Sequence, residues 1–210
     1  MRTLNRLAGR GILKKEDFPW KGKRKPNGHS EKRGKQAFRS DLRERAESYL
    51  DFKTEFGHQE GDTIVGEKNK SAVITIVERC SKAIITLKTN GRKATDIEPS
   101  INQWLSQVPS HLFKSITFDC GKEFSNWKSI STAHDIDIFV ADPGCPGQRG
   151  LNEHSNSLLS RNGLPKQLDF TNISQNYLSA TADKRNRIPR KSLNYQTPYQ
   201  VFLSYMKNLT

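Results

Sequence analysis

The stretch that decides the fold runs from Ser71 to Lys88. It contains Ser71-Ala-Val-Ile-Thr-Ile-Val-Glu-Arg79 and Lys82-Ala-Ile-Ile-Thr-Leu-Lys88, two runs rich in β-branched residues with a short turn between them. Such a pair of runs predicts an antiparallel β-hairpin. A shorter strand is predicted immediately before it, over 61–66, so the sheet is expected to begin with a three-strand antiparallel meander.

Downstream of the hairpin, predicted helices and strands alternate. Apolar residues at helical spacing predict a helix over 95–107. Strands are predicted over 115–119 and 137–141, and helices over 122–133 and 149–161. The order β-β-β-α-β-α-β-α predicts an α/β fold with a mixed sheet, in which two parallel strands extend the meander and helices flank the sheet.

The charge of the chain is concentrated at its two ends. The 210 residues carry a net charge of +13, of which residues 1–60 contribute +7, residues 61–160 contribute 0 and residues 161–210 contribute +6. No apolar run approaches the roughly 18 residues of a membrane span, which excludes a membrane protein. The basic ends favour a nucleic-acid partner, while a basic protein without such a partner is the alternative.

Composition also suggests three regions. Residues 1–55 are expected to form a basic arm, extended or disordered in part, with a short charged helix over 41–51; a solvated linker is the alternative for 20–40. Residues 56–162 are expected to form the core, and 163–210 a basic extension with helices. The three cysteines lack zinc-site spacing and the N-terminus lacks a secretory signal, so we expect reduced thiols and a cytoplasmic, nucleoid-associated location.

Three carboxylates are placed where this topology would bring them together. Asp62 lies in the first strand, Asp119 ends the fourth, and Glu153 lies in the last predicted core helix. Clustered carboxylates raise one another's pKa unless a cation compensates them, and Mg²⁺ prefers such oxygen ligands. The alternative is that these are scattered surface acids; the competing candidates are Glu67, Glu123 and Asp142.

The local sequences favour the clustered interpretation. Gly57-His-Gln-Glu-Gly-Asp-Thr-Ile64, Thr117-Phe-Asp-Cys-Gly-Lys-Glu-Phe124 and the segment Gln148-Arg-Gly-Leu-Asn-Glu-His-Ser-Asn156 together resemble the DDE transposases of bacterial insertion sequences. The insertion sequence 30 type is the most similar, and its catalytic core is similar to retroviral integrase and RNase H. The stretch from Ala182 to Phe202 resembles that family's C-terminal signature.

The resemblance implies a function and a set of functional residues. The implied reaction is DNA strand cleavage followed by strand transfer (DNA integration) by a multimer acting on element ends and target DNA, with Asp62, Asp119 and Glu153 as catalytic ligands of two Mg²⁺ or Mn²⁺ ions. Active-site lining is implied for Asn152, Asn156, Gly121 and Gly150. The expected DNA-binding residues are Arg149, Arg161, Lys184, Arg185, Arg187, Arg190, Lys191, Lys23, Arg24 and Lys25.

Several positions depart from the family pattern. Gln59 replaces a usual Trp, Gly144 and Gly147 replace usual aromatic residues, and Ser160 replaces a usual basic residue, with Arg161 offset by about 100° around the helix. Because little sequence precedes Asp62, we expect an N-terminally truncated member whose transposition is impaired. The alternatives are a non-catalytic nucleic-acid-binding remnant and an RNase H-like nuclease acting on RNA–DNA hybrids.

Overall fold

The computed structural model describes residues 10–12, 14, 41–142 and 145–207. The chain divides into a unit of residues 1–34, of which only a turn near residue 11 is described, and a unit of residues 35–210, which carries the fold below. The predicted DNA-binding residues Lys23, Arg24 and Lys25 lie outside the described residues. Across the described ranges, no helix is long and apolar enough to cross a bilayer.

One mixed sheet of five strands organises the fold. The strands are β1 (His58–Val65), β2 (Ala72–Glu78), β3 (Ile84–Lys88), β4 (Ser115–Phe118) and β5 (Asp137–Val140), in the order β3-β2-β1-β4-β5. The first three pair antiparallel, whereas β1 pairs parallel with β4, and β4 with β5. The predicted hairpin and the predicted mixed α/β sheet are confirmed.

Helices cover both faces of the sheet. They are α1 (Leu42–Ser48), α2 (Ala94–Leu105), α3 (Trp127–His134), α4 (Gly150–Arg161), α5 (Gln175–Asn186) and α6 (Pro198–Lys207). Short 3₁₀ turns occur at Glu67–Asn69, Lys122–Phe124, Pro146–Arg149 and Lys191–Leu193. The C-terminal helices contribute to the packing of the unit, because Leu178 of α5 joins the core on one face and Phe202 of α6 packs against the core on the other.

Alternation along the strands separates two apolar cores. Ile74 and Ile76 of β2 belong to the core beneath α2 and α3, whereas Val73 and Val77 belong to the core beneath α4 and α5. Side chains two residues apart on a strand share a face. The α4 face therefore also receives the side chains of alternate residues of β1, among them Ile64, and this is the face on which the candidate site forms.

Two predicted elements differ from the observed ones. Strand β1 begins at His58, not Gly61, because His58, Gln59 and Glu60 pair in parallel with β4, a long-range pairing that the local pattern does not contain. The helix predicted over 122–133 is divided into a 3₁₀ turn and α3. Phe124 of the 3₁₀ turn stacks on Phe118 of β4, with ring centroids 4.2 Å apart.

Candidate active site

Asp62 and Asp119 lie on neighbouring parallel strands, Asp62 within β1 and Asp119 directly after β4. The last parallel pair joins Glu60 to Thr117, and each aspartate follows two residues later on the same face. One guanidinium group reaches both carboxylates: Arg149 Nη1 lies 3.1 Å from Asp62 Oδ2, and its Nη2 lies 3.8 Å from Asp119 Oδ2. The structure therefore brings together the first two predicted carboxylates.

Backbone groups hold the second oxygen of each carboxylate. Asp62 Oδ1 accepts a hydrogen bond from the backbone N–H of Thr63 at 2.7 Å, and Asp119 Oδ1 accepts one from that of Gly121 at 2.9 Å. A Cβ at position 121 would lie 2.7 Å from Asp119 Oδ1 and 2.6 Å from the Glu123 carboxylate. The absence of a side chain at Gly121 is thus what allows Asp119 to take this position.

The electrostatics of Asp62 favour a cation beside it. Burial raises the pKa of the Asp62 carboxyl above its usual range, and the charge of Asp119 raises it further, while Arg149 and the Thr63 N–H lower it in part. Asp62 therefore ionises less readily than an ordinary aspartate, in spite of Arg149. Any further positive charge placed near Oδ2 would stabilise the ionised form.

Arg149 occupies a different place from the one expected of a DNA-binding residue. Its side chain is only 14% exposed, and besides the two aspartates it donates a hydrogen bond to the Gly61 carbonyl at 3.4 Å. It immediately precedes α4, and its side chain reaches Gly61 and Asp62 in the middle of β1. The sequence assigned this cation to DNA, whereas the structure places it between the carboxylates.

Helix α4 presents Glu153 and Asn156 to a cavity of about 530 Å³ that Asp62 also lines. Asn156 Nδ2 donates to Asp62 Oδ2 at 3.4 Å. Glu153 is exposed, and Asp119 is not among the residues that line this cavity with it. The third predicted carboxylate therefore lies at the exposed rim of the cavity that Asp62 lines.

Asn152 lies on the same helix but has a different environment. It is fully buried, and its Nδ2 donates to the carbonyls of Glu60 at 2.7 Å and Thr75 at 3.1 Å. Its Oδ1 accepts from the Thr75 hydroxyl at 3.2 Å. These bonds attach α4 to β1 and β2, so Asn152 positions the helix instead of lining the acid cavity.

Two basic side chains line this cavity. Arg161 does so together with Ser160, so the 100° offset expected between them does not separate Arg161 from the site. Lys166, in the loop after α4, also lines it and was missed by the sequence analysis. The available signal was the turn at Pro165, which brings the residue after it back toward the helix end.

The C-terminal basic cluster lies elsewhere on the unit. Lys184 and Arg185 belong to α5, which packs along β3, and Arg187 lies 5.5 Å from the centre of the Tyr199 ring. Arg190 is half-buried, and burial lowers the pKa of its guanidinium. Neither these residues nor Lys191 line the cavity that holds Asp62 and Glu153. The structure does not bring this cluster to the acids.

Three of the positions that depart from the family pattern, together with Gly150, have clear environments. Gln59 is fully buried, and neither atom of its side-chain amide has a hydrogen-bond partner within the described ranges. A Cβ at Gly147 or Gly150 would meet open space, so no close approach requires glycine there. Ser160 lines the acid cavity. Gly144 lies outside the described residues.

The donor set fits a hard divalent cation. Asp62 and Asp119 offer oxygen ligands that already share one positive group, and Mg²⁺ is commonly held by one or two carboxylates together with substrate oxygens. Within residues 41–142 and 145–207, no three His, Cys, Asp or Glu residues are arranged to hold a metal ion. The fit therefore rests on the two aspartates, with Glu153 on the rim.

Comparison with known sequences finds relatives among transposases. The chain is 38% identical over 154 residues to the transposase for insertion sequence element IS1086 of Cupriavidus metallidurans, covering 73% of this chain and 45% of the relative. It is 32% identical to the Escherichia coli transposase for IS30C, covering 72% and 39%, and 34% identical to the Bacteroides fragilis transposase for IS4351, covering 78% and 49%. The chain thus spans less than half the length of these relatives. No family model matches it.

Comparison with solved structures identifies the fold. The catalytic core domain of BIV integrase superposes with a TM-score of 0.55 at 16% identity, covering 72% of this chain and 97% of that domain. A chain of the simian T-cell lymphotropic virus intasome, solved in complex with the PP2A regulatory subunit B56 gamma, gives 0.56 at 18%, covering 69% and 53%. The sheet described above is therefore of the integrase-core, RNase H-like type.

Proposed function

We infer from these relatives that the chain belongs to the IS30 family of insertion-sequence transposases. We propose that it is a metal-dependent polynucleotidyl transferase that cleaves DNA and transfers the cut strand. The observation that carries the proposal is the pair of aspartates on neighbouring strands, Asp62 in β1 and Asp119 directly after β4. One guanidinium contacts both, and Glu153 lines the same cavity as Asp62. Charged oxygens converging in this way suit phosphoryl transfer.

Each residue of the site has a proposed role. Asp62, Asp119 and Glu153 would hold one or two Mg²⁺ or Mn²⁺ ions, which when bound activate the attacking oxygen and stabilise the leaving oxygen of a phosphodiester. Asn156 holds the Asp62 carboxylate through its side-chain amide. Arg161 and Lys166, on the wall of the same cavity, would pair with backbone phosphates of the bound strand.

The proposal includes the partners and the cellular location. DNA is the substrate, as element ends and as target, and the basic ends of the chain would bind its phosphates without regard to sequence. We propose that the chain acts as a homo-oligomer, by analogy with the intasome whose subunit it resembles. A protein that acts on bacterial DNA works in the cytoplasm, at the nucleoid.

Nicking of supercoiled plasmid in Mg²⁺ or Mn²⁺ tests the proposal directly. The full chain is expected to nick DNA only when metal is present, and Asp119→Asn is expected to reduce the rate by at least about a hundredfold. Asp183→Asn, the same change on the exposed face of α5, is the matched control and should retain the wild-type rate. Equal rates for both variants would show that nicking does not arise at this site.

A second candidate is a non-catalytic DNA-binding protein. The observation that favours it is Arg149, whose guanidinium group contacts both aspartates and compensates part of their negative charge. This candidate predicts salt-dependent DNA binding with no metal-dependent nicking by the wild-type chain. An RNA–DNA hybrid offered in the same assay distinguishes the third possibility, an RNase H-like nuclease, which would cut the hybrid in preference to plasmid.

A further inference from the structure

A second polar cavity lies on the same face of the sheet, two residues back along the strands from the acid pair. It measures about 350 Å³ and is lined by Arg45 of α1, Phe52, Glu60 of β1, Arg79 and residues at the start of α4. We call it the arginine pocket. Glu60 precedes Asp62 by two residues on β1, so the pocket and the acid pair are about 7 Å apart along the strand.

The charges of the arginine pocket do not balance. Arg79 pairs with Glu60 Oε1, and Glu60 Oε2 accepts the backbone N–H groups of Leu151 at 3.1 Å and Asn152 at 2.9 Å. Glu60 is thereby fully engaged. Arg45 is within 4.0 Å of no carboxylate oxygen among the described residues, so the pocket holds one positive charge in excess.

The burial of Arg45 is unusual for a charged side chain. Only 7% of the residue is exposed; its Nη1 donates to Thr117 Oγ1 at 2.8 Å, and its guanidinium lies 4.3 Å from the centre of the Phe52 ring. Burial, with the charge of Arg79 added, lowers the pKa of Arg45 to about 10. Burial of a charge without a full counter-charge is unfavourable, and a bound anion would offset that cost.

Unused donors of the pocket suit a phosphate group. The Nε–H groups of Arg45 and Arg79 are both buried without a hydrogen-bond partner among the described residues. Both guanidinium groups lie near the Phe52 ring, at 4.3 and 5.1 Å from its centre, and both residues line the same pocket. Paired guanidinium groups bind phosphate oxygens through charge-assisted hydrogen bonds.

We propose that the arginine pocket is a phosphate-binding subsite for the DNA strand that is bound at the active site. One backbone phosphate of this strand would bind in the pocket, while a neighbouring part of the same strand lies at Asp62 and Asp119. The choice of DNA as the source of the phosphate rests on the proposed function, whereas the phosphate site itself does not. Because Glu60 also binds the first N–H groups of α4, an occupied pocket would contact the same helix that carries Glu153.

Thermal unfolding in phosphate and in chloride, at matched ionic strength with EDTA present, tests the phosphate site. Wild type and Arg43→Gln, an exposed charge on the same helix, are expected to gain Tm in inorganic phosphate, and Arg45→Gln is expected to lose that gain. An equal gain in Tm in all three proteins would overturn the site. If Arg45→Gln does not fold, the wild-type chain decides, because the absence of a gain in Tm in phosphate over chloride would also overturn the site.

Binding of a short single-stranded oligonucleotide then identifies the source of the phosphate. Arg45→Gln is expected to bind about tenfold more weakly than Arg43→Gln. Equal oligonucleotide affinity with a lost phosphate effect would mean that the pocket takes free phosphate only, which overturns the DNA assignment. Nicking and Mn²⁺ binding at the aspartates are measured separately, so a failure of the proposed function is distinguishable from a failure of the pocket.

Discussion

The acid pair and the polar layer two residues behind it are built on the same strands, yet they differ in how fully their charges are satisfied. Glu60 is 1% exposed, and its carboxylate is used by Arg79 and by two backbone N–H groups. Asp62 and Asp119 have side chains 23% and 26% exposed and share one guanidinium at 3.1 and 3.8 Å. The first arrangement fixes α4, and the second leaves carboxylate oxygens for a cation.

Removing the charge of Glu60 is expected to have the largest effect. Glu60→Gln leaves Arg79 without its carboxylate and adds a donor beside two backbone N–H groups, so we expect a loss of about 3 kcal/mol in the free energy of unfolding. Urea denaturation measures it. The exposed Glu67→Gln should change stability by no more than about 0.5 kcal/mol. Similar losses in both variants would contradict the structural role of Glu60.

Substitutions at Asn152 and Asn156, four residues apart on α4, are expected to distinguish a structural role from a role in metal binding. Asn152→Ala removes three buried hydrogen bonds and should lower the free energy of unfolding by about 2 kcal/mol. Asn156→Ala removes one long bond to Asp62 and should cost less than about 1 kcal/mol while weakening Mn²⁺ binding. A larger loss in the free energy of unfolding for Asn156→Ala than for Asn152→Ala would contradict this assignment of roles.

A substitution at Gln59, also on β1, tests whether its unsatisfied side-chain amide contributes to stability or activity. Its amide is buried without partners, so Gln59→Met is expected to raise the free energy of unfolding by about 1 kcal/mol with nicking unchanged. Gln107→Met, an exposed control on the turn after α2, should leave stability unaltered. A loss of stability at position 59 would indicate that the amide has a partner in solution.

The pH dependence of metal binding gives the smallest expected effect. Because the pKa of Asp62 is raised, its contribution to stability is present below the pKa of the unfolded chain and is lost as the pH rises through the higher folded value. Mn²⁺ needs the ionised form, so affinity should fall with acid at a higher pH than for an ordinary aspartate. Arg149→Gln removes a lowering influence and should move that midpoint upward; titrations at several pH values measure it.

Much of the fold could be predicted because its signals are local. The β-branched runs of β2 and β3 and the alternation of later helices and strands determine the topology, which in turn places β1 beside β4. The extension of β1 back to His58 could not be predicted, because parallel pairing with β4 depends on residues nearly sixty positions away. The predicted topology allowed Asp62 and Asp119 to lie side by side, and the resemblance of the local sequences to DDE transposases distinguished them from the competing acids.

The features that could not be predicted from the sequence are the directions and burial of individual charged side chains. Arg149 belongs to a basic residue type that is common on DNA-binding surfaces, and only the tertiary position of the α4 start turns it toward Asp62. Arg45 and Arg43 lie on one short charged helix, and nothing in their order shows that Arg45 is buried against Phe52 while Arg43 is exposed. Burial of single charges is a property of packing, so it appears only in the structure.

Titration of the full chain with Mn²⁺ at neutral pH, followed by electron paramagnetic resonance of the free ion, tests the central claim most directly. We expect saturable binding that Asp119→Asn weakens at least about tenfold and that Asp183→Asn leaves unchanged. Arg149→Gln, which removes the cation already present, should bind Mn²⁺ at least as tightly as wild type. Wild-type affinity in Asp119→Asn, or no saturable binding in any variant, would contradict the claim that the aspartate pair is a cation site.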